Sequence, residues 1–230
     1  MRENESLSEF LEYVPIFADL PAETLEQIAS IGSVQTYPKD GIVLMEEEAG
    51  NALFVIIKGK VKIARSSGDG REVILTILNE ADFFGEMAIL DGQSRSATVI
   101  SLEESKLFII QRNDFLYLLK RHPEVSISLL QELTGRLRTA DMKIKALTLK
   151  DAEGKVASVV LQIADNEGTI KNGIVEIEKL PLQQDLANMA GTSRETISRT
   201  LHNFAKKNLV EIEGSKLRIL NYEKFKEMYI

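Results

Sequence analysis

The chain has 230 residues, of which 44% are hydrophobic and 27% are charged, and its net charge is −7. This balance is typical of a folded globular protein and excludes a disordered chain. Because the sequence contains no cysteine, it excludes a disulfide scaffold and any cysteine-ligated zinc or iron–sulfur site. No apolar run approaches the roughly 18 residues of a membrane span, and the opening MRENESLSEF lacks the basic and apolar regions of a signal peptide. We therefore expect a cytoplasmic protein with no membrane partner.

The first half of the chain changes from helical to strand-like patterning. Residues 7–30 favour short helices, and from about Gly41 the hydrophobic period becomes two. The segments FVIIKGKVKIA (54–64), REVILTIL (71–78) and SKLFIIQ (105–111) are rich in Val and Ile and are separated by glycine-containing turns such as SGDG. Short strands at this spacing predict an all-β barrel or roll.

Beyond Arg112 the pattern is helical, and one stretch has an apolar period of 3.5. Such a heptad seam favours a helix that pairs with a copy of itself, so we predict a homodimer. The alternative is a long amphipathic helix lying on its own β domain. The seam residues are Leu130, Leu133, Leu137, Ala140, Ile144 and Leu147.

The last third of the chain predicts helices and a small hairpin. Asp151 can cap a helix over 151–164, and NEGTIKNG (166–173) is predicted to be a turn-rich loop. Two helices then follow, from about Leu182 to Ala190 and from a Ser193 cap to about Lys207, with Gly191 allowing a tight turn between them. The segment LVEIEGSKLRIL predicts a β-hairpin wing with EGSK at its turn. This order predicts a winged helix–turn–helix, whose second helix enters the DNA major groove.

The predicted second helix carries side chains suited to reading base pairs. Arginine can donate to O6 and N7 of guanine, and glutamate can accept from N4 of cytosine, which suits Arg194, Glu195 and Arg199. Residues 151–230 hold 11 basic and 12 acidic residues, so attraction to DNA must come from a local face. A solvated charged surface is the alternative. The predicted phosphate contacts are Thr192, Ser193, Thr196, Lys206 and Lys207.

A second motif, FGEMAILDGQSRSATV (84–99), has the chemistry of an anion-binding loop. Gly85 allows the backbone to approach a ligand, and a helical turn that includes Met87 and Ala88 offers free N–H groups. Glu86 can accept from a sugar hydroxyl, Arg95 supplies a planar charged fork for a phosphate, and Ser96 adds a hydroxyl. The alternative is that Arg95 pairs with Glu86 and locks the β-roll.

Both motifs resemble those of the Crp/Fnr family of transcription regulators. SRETISR (193–199), preceded by QQDLANMAGT, is similar to that family's recognition segment, in which the equivalents of Arg194, Glu195 and Arg199 contact a TGTGA-like half-site. FGEMAILDGQSRSATV resembles its phosphate-binding cassette, in which the equivalents of Gly85, Glu86, Arg95 and Ser96 hold ribose and cyclic phosphate. The resemblance implies a cyclic nucleotide, cAMP or cGMP, as effector.

The resemblance also extends to the long helix, with one departure. Arg136 matches a family arginine that approaches the glutamate and the ligand. Where cAMP-responsive members have adjacent Thr and Ser, this chain has Ala140 and Asp141. A carboxylate cannot donate to an adenine ring nitrogen but can accept from guanine N1 and N2 or adenine N6, so cGMP or a non-nucleotide ligand stays open. The alternative is that Asp141 faces solvent beside the seam.

These observations together predict an α+β protein that is not an enzyme. We expect a β-roll effector domain over 1–112, a dimerisation helix over 113–149, and a winged helix–turn–helix over 150–230. The predicted partners are double-stranded DNA, a second copy of the chain and, by family resemblance, RNA polymerase, and no metal is predicted. The alternative function keeps the DNA-binding output with a non-nucleotide effector or with no effector.

Overall fold

The computed structural model describes residues 6–229. The first five residues, on which the expectation of no signal peptide partly depends, and Ile230 lie outside the described residues. The chain divides into two units, Met1–Arg138 and Thr139–Ile230. Within the part that is described, no helix is both long enough and apolar enough to cross a membrane.

The first unit contains the two short helices predicted near the start and eight strands. Ser6 caps α1 by accepting from the Glu9 amide, and the Glu9 carboxylate accepts from the Ser6 amide in return. The elements are α1 (Leu7–Leu11), α2 (Ala22–Ile31), β1 (Ser33–Tyr37), β2 (Ile42–Leu44), β3 (Ala52–Lys58), β4 (Val61–Ser66), β5 (Glu72–Leu78), β6 (Phe83–Phe84), α3 (Glu86–Asp91), β7 (Thr98–Ser101), β8 (Ser105–Gln111) and α4 (Arg112–Arg121).

The strands form the predicted β-roll from two four-stranded antiparallel sheets, in the orders β1-β8-β3-β6 and β2-β7-β4-β5. Residues 54–57 (FVII) show no alternation of apolar and polar side chains, because both faces of strand β3 are buried. Leu53, Val55 and Ile57 pack with the helices, whereas Phe54 and Ile56 pack inside the roll. Successive side chains of a strand point to opposite faces, so β3 contributes to two cores at once.

The helical stretch after Arg112 is two helices rather than one. Helix α4 ends at Arg121, and α5 (Pro123–Leu149) begins at a proline, which lacks the N–H needed to continue α4 but suits a first helical turn. Val125 and Leu129 of α5 are buried in the core of the first unit. The rest of α5 has its apolar side chains largely exposed.

The second unit contains the predicted winged helix–turn–helix and three elements that the sequence pattern did not reveal, two strands and a helix. The predicted loop 166–173 contains a strand, because the Asn172–Gly173 turn, with both φ angles positive, returns the chain antiparallel to itself. A further helix follows the wing. The elements are α6 (Ala152–Glu167), β9 (Thr169–Lys171), β10 (Ile174–Ile177), α7 (Gln183–Ala190), α8 (Arg194–Lys206), β11 (Val210–Glu213), β12 (Lys216–Ile219) and α9 (Tyr222–Tyr229).

The core of the second unit includes apolar residues of α7 and α8 at helical spacing. Leu186, Ile197, Leu201 and Phe204 are all buried, and the strands form one antiparallel sheet in the order β11-β12-β10-β9. Asp151 caps α6 through its carboxylate, which accepts from the Gly154 amide at 2.8 Å.

Candidate functional site: an anion cradle and a DNA-reading helix

The segment from Gly85 to Ser96 forms a cradle in the first unit. Gly85 immediately precedes α3 with φ of +87°, a conformation that favours glycine. A methyl group at this position would lie 2.8 Å from Arg95 Nη1 and 2.9 Å from the Ala52 carbonyl oxygen. Because Gly85 has no side chain, the arginine can reach the turn.

Arg95 is the buried cation of the cradle, with 6% of its surface exposed. Its Nη1 donates to the Gly85 carbonyl at 2.8 Å, its Nη2 donates to the Ala52 carbonyl at 2.9 Å, and its Nε has no hydrogen-bond partner. Burial lowers the pKa of the guanidinium, whereas Glu86 and Glu48 raise it. An arginine remains charged in such surroundings, so the cradle contains a positive charge with one unused donor.

Glu86 pairs with α5 rather than with Arg95. Its carboxylate is buried, and its Oε1 lies 3.0 Å from Arg136 Nη1. Arg136 also donates to the Phe83 carbonyl at 2.6 Å, and its guanidinium carbon lies 4.3 Å from the centre of the Phe83 ring. The lock between Arg95 and Glu86 that was the alternative to ligand binding is therefore not formed, and Arg136 is beside Glu86 as the family resemblance implied.

The remaining predicted effector residues have different surroundings. Ala88 is buried, whereas Met87 and Ser96 are exposed, and Ser96 Oγ donates to Met87 Sδ at 3.7 Å. Ala140 and Asp141 are exposed residues of α5 that belong to the second unit. The structure thus brings Gly85, Glu86, Met87, Ala88, Arg95, Ser96 and Arg136 together in the first unit.

Sequence reasoning missed one glycine of the cradle. A methyl group on Gly50 would lie 2.2 Å from the Ala88 methyl and 3.1 Å from Arg95 Nε. Gly50 therefore allows α3 and the arginine to pack against the chain before β3. In the sequence Gly50 simply follows the acidic run EEEA. Nothing in that pattern indicates that other side chains pack closely against its backbone.

The helix–turn–helix has the predicted geometry. Gly191 ends α7 with φ of +59°, and Ser193 caps α8 by accepting from the Thr196 amide at 3.2 Å. Arg194, Glu195 and Arg199 are all exposed on α8. A glutamate is already ionised at neutral pH, and hydrogen bonds at the start of α8, from its own amide and from Ser193, lower the pKa of Glu195 further.

The three predicted base-reading residues line one concavity of about 520 Å³ together with Ser198, Gln183 and His202. Sequence reasoning did not single out Gln183 and His202. His202 follows Arg199 by three residues, a spacing that places both on one helical face. This spacing could have identified His202 from the sequence.

The predicted phosphate contacts fall into two groups. Thr192, Ser193 and Thr196 lie at the turn and the first residues of α8, where helix N–H groups favour an anion. Lys206 is exposed near the other end of the helix. Lys207, in contrast, has its Nζ 2.7 Å from Glu153 Oε1 in the same unit.

The predicted dimer seam is mostly exposed in this chain. Leu130 and Leu137 are each 63% exposed and Ile144 is 62% exposed. Leu133 packs against the core of the first unit, Ala140 is exposed, and Leu147 is half-buried. The series Leu130, Leu137 and Ile144 is thus open to solvent, whereas Leu133 of the other series packs on the first unit.

Comparison with known proteins matches the chain to two domain models that span these two segments. Residues 34–122 match the model of the cyclic nucleotide-binding domain, and residues 154–228 match the model of the Crp-like helix-turn-helix domain. The CRP-like cAMP-activated global transcriptional regulator of Mycobacterium tuberculosis is 31% identical over 218 residues, which are 95% of this chain and 97% of that protein. The cyclic AMP receptor protein of Thermus thermophilus is 32% identical over 198 residues, which are 86% of this chain and 88% of that protein.

A solved structure extends the comparison to the fold. The c-di-GMP responsive global regulator CLP of Xanthomonas campestris superposes with a TM-score of 0.72 at 20% identity, covering 86% of this chain and 99% of that one. A cyclic nucleotide-binding domain followed by a helix–turn–helix defines a transcription regulator and not an enzyme. The chain belongs to the Crp/Fnr family of transcription regulators.

Proposed function

We propose that this regulator binds a cyclic nucleotide in the cradle and that the ligand controls how tightly a dimer of the chain binds DNA. The observation that carries the proposal is Arg95, a buried guanidinium with an unpartnered Nε beside a left-handed glycine. An unpaired polar atom in a buried position is costly, and a phosphate oxygen would satisfy it with a charge-assisted hydrogen bond.

The residues of the cradle fit the parts of a cyclic nucleotide. Arg95 would hold the phosphate, and Ser96 and the amides at the start of α3 would add donors. Glu86, an acceptor when ionised, would bind a ribose hydroxyl while still paired with Arg136. Gly85, Met87 and Ala88 would form the backbone wall. The ligand supplies one negative charge and a hydroxyl to this set.

Among cyclic nucleotides we propose cAMP first. The two relatives described above are named for cAMP, and both align with most of the chain. Ala140 and Asp141 stand where the resemblance implies base recognition, and an aspartate suits guanine N1 and N2 or adenine N6. We therefore treat cGMP as the ligand to compare with cAMP.

The alternative is a regulator that answers another ligand or none. The fold is shared with a regulator described as c-di-GMP responsive, so the fold by itself does not define the effector. In the constitutive version the affinity for DNA would be the same with and without ligand.

The DNA-binding part of the proposal is a dimer that reads a TGTGA-like palindrome. The exposed seam of α5 would bury Leu130, Leu137 and Ile144 against a second copy, and each such side chain contributes about 1.5–3 kcal/mol when fully buried. Two copies of α8 would then enter successive major grooves about 34 Å apart. Arg194, Glu195 and Arg199 would read bases.

The remaining proposed contacts are with the DNA backbone and with the transcription machinery. Thr192, Ser193, Thr196, Lys206 and Lys207 would lie along the phosphates. By family resemblance the regulator would act with RNA polymerase in the cytoplasm, where the chromosome is.

Calorimetric titration tests the effector. We expect cAMP to bind the full-length chain, and Arg95→Ala to abolish binding while Arg71→Ala leaves it unchanged. Arg71 is a matched control because it is an exposed arginine of the same unit. Arg95→Lys, which keeps the charge but loses the fork, is a second variant in case the Ala variant does not fold. Absence of binding by cAMP and cGMP to the folded wild type would favour another ligand.

A further inference from the structure

The helix that follows the wing is packed against the recognition helix. The ring of Tyr229, the last described residue of α9, lies 5.3 Å from that of Phe204 in α8 and 5.1 Å from that of Phe225 in α9. Phe204 and Phe225 are both fully buried. Tyr229 therefore joins the core that sets the position of α8 in the second unit.

The polar end of Tyr229 reaches the beginning of α6. Its hydroxyl donates to Glu153 Oε1 at 2.5 Å, and the same oxygen accepts from Lys207 Nζ at 2.7 Å. Glu153 lies in the first turn of α6, and Lys207 is the C-cap residue that directly follows α8. Hydrogen bonds from Lys207 and Tyr229 lower the pKa of Glu153, so the carboxylate is ionised and attracts both groups.

The backbone of Tyr229 is bonded to the junction between α5 and α6. Lys150, which lies between the end of α5 and the Asp151 cap of α6, donates to the Tyr229 carbonyl and, at 2.8 Å, to Ser158 Oγ. One residue thus contacts both sides of the junction, at Lys150 and Glu153, and packs on the recognition helix. All of these contacts lie within the unit Thr139–Ile230.

We propose that Tyr229 is a positioning residue for DNA binding, which fixes recognition helix α8 relative to the end of α5 through Glu153 and Lys150. This inference rests on the proposed function, because it concerns how an effector signal carried by α5 would reach α8. For effector binding to change DNA affinity in this way, the end of α5 and helix α8 must move together. The Tyr229 hydroxyl, bonded to Glu153, and the Tyr229 carbonyl, bonded to Lys150, supply that connection.

The test uses the full-length chain with Tyr229→Phe, which removes the hydroxyl and keeps the ring. Tyr117→Phe is the matched control, since Tyr117 is an exposed tyrosine of α4 in the first unit. Amide hydrogen exchange is measured without ligand over residues 151–156 and 204–209. We expect exchange in both segments to rise by about tenfold or more in Tyr229→Phe, as loss of a hydrogen bond to a charged group predicts, and to stay at the wild-type level in the control.

The second measurement is DNA affinity with and without cAMP, by fluorescence anisotropy on a TGTGA palindrome. Effectors change affinity about 5- to 150-fold in allosteric proteins, and we expect this ratio to fall by at least about threefold in Tyr229→Phe. A residue needed for stability alone would lower both affinities by the same factor together with the melting temperature, and that result would overturn the proposal. Unchanged exchange would overturn it as well.

The two proposals fail in different ways. If wild-type DNA affinity does not respond to cAMP, the proposed effector is wrong, and the positioning role is then decided by exchange together with DNA affinity in the absence of ligand. A loss of affinity at an unchanged melting temperature would support it, and wild-type affinity would refute it. Glu153→Gln, which keeps an acceptor but weakens the attraction of Lys207, should give a smaller change in the same direction.

Discussion

Replacing Gly85 by alanine tests whether the turn before α3 positions Arg95 for an anion. The residue has φ of +87°, which costs an L-amino acid about 1–2 kcal/mol. The added methyl would also lie 2.8 Å from Arg95 Nη1 and 2.9 Å from the Ala52 carbonyl oxygen, so the guanidinium must move. Overpacking of this kind costs a further ~1–3 kcal/mol.

Gly92→Ala is the matched control at the other end of the same helix. Gly92 has φ of +72°, and a methyl group there would meet no atom within 4 Å. Both variants therefore carry the backbone cost, but only Gly85→Ala displaces Arg95. The difference between them isolates the contribution of the arginine's position.

Urea denaturation and calorimetry with cAMP measure the two effects separately. We expect both variants to lose about 1–2 kcal/mol of unfolding free energy from the backbone, with Gly85→Ala losing more. A displaced charge-assisted hydrogen bond is worth about 1.5–3 kcal/mol, so cAMP should bind Gly85→Ala at least about tenfold more weakly and Gly92→Ala normally. Equal cAMP affinity in the two variants would refute the assignment of Arg95 as the phosphate-binding residue.

Three further predictions concern the dimer and DNA. Leu137→Glu should give a monomer by light scattering, because it places a charge in the seam, whereas Leu149→Glu, at an exposed position off the heptad seam, should stay dimeric. Arg199→Ala should weaken binding to the palindrome by about 1–3 kcal/mol in anisotropy titrations and leave binding to random DNA nearly unchanged; an equal loss on both would make Arg199 a phosphate contact. Lys206→Ala should reduce the slope of log affinity against log salt by about 1, and an unaltered slope would exclude this contact.

The sequence predicted the parts of the fold that depend on local pattern. The heptad spacing, the Ser193 cap and the Gly191 turn are properties of neighbouring residues, and α5, α7 and α8 follow from them. The burial of Ile197, Leu201 and Phe204 follows from the same helical period. The strand β9 was missed because three residues between Gly168 and a turn are too few to show an alternation.

The parts that could not be predicted depend on contacts between distant residues. Gly50 is required by the Ala88 methyl and by Arg95, which approach it only after the roll has closed. The contact between Tyr229 and Glu153 spans 76 residues, and no local period encodes it. Arg136 was placed beside Glu86 from family resemblance, since a separation of 50 residues leaves no trace in the sequence pattern.

The contacts of Glu86 limit how a ligand could act on this chain. A ligand shifts an equilibrium only by binding one state more tightly than another, so some group that touches the ligand must also hold a movable element. Under the proposed function Glu86 would be such a group, because it lies in the cradle and is paired with Arg136 of α5. The Arg95 side chain donates to the carbonyls of Gly85 and Ala52, and among the described residues it makes no hydrogen bond with α5. We therefore expect Arg95 to determine how tightly the ligand binds, and the Glu86–Arg136 pair to determine how much of that binding reaches the DNA.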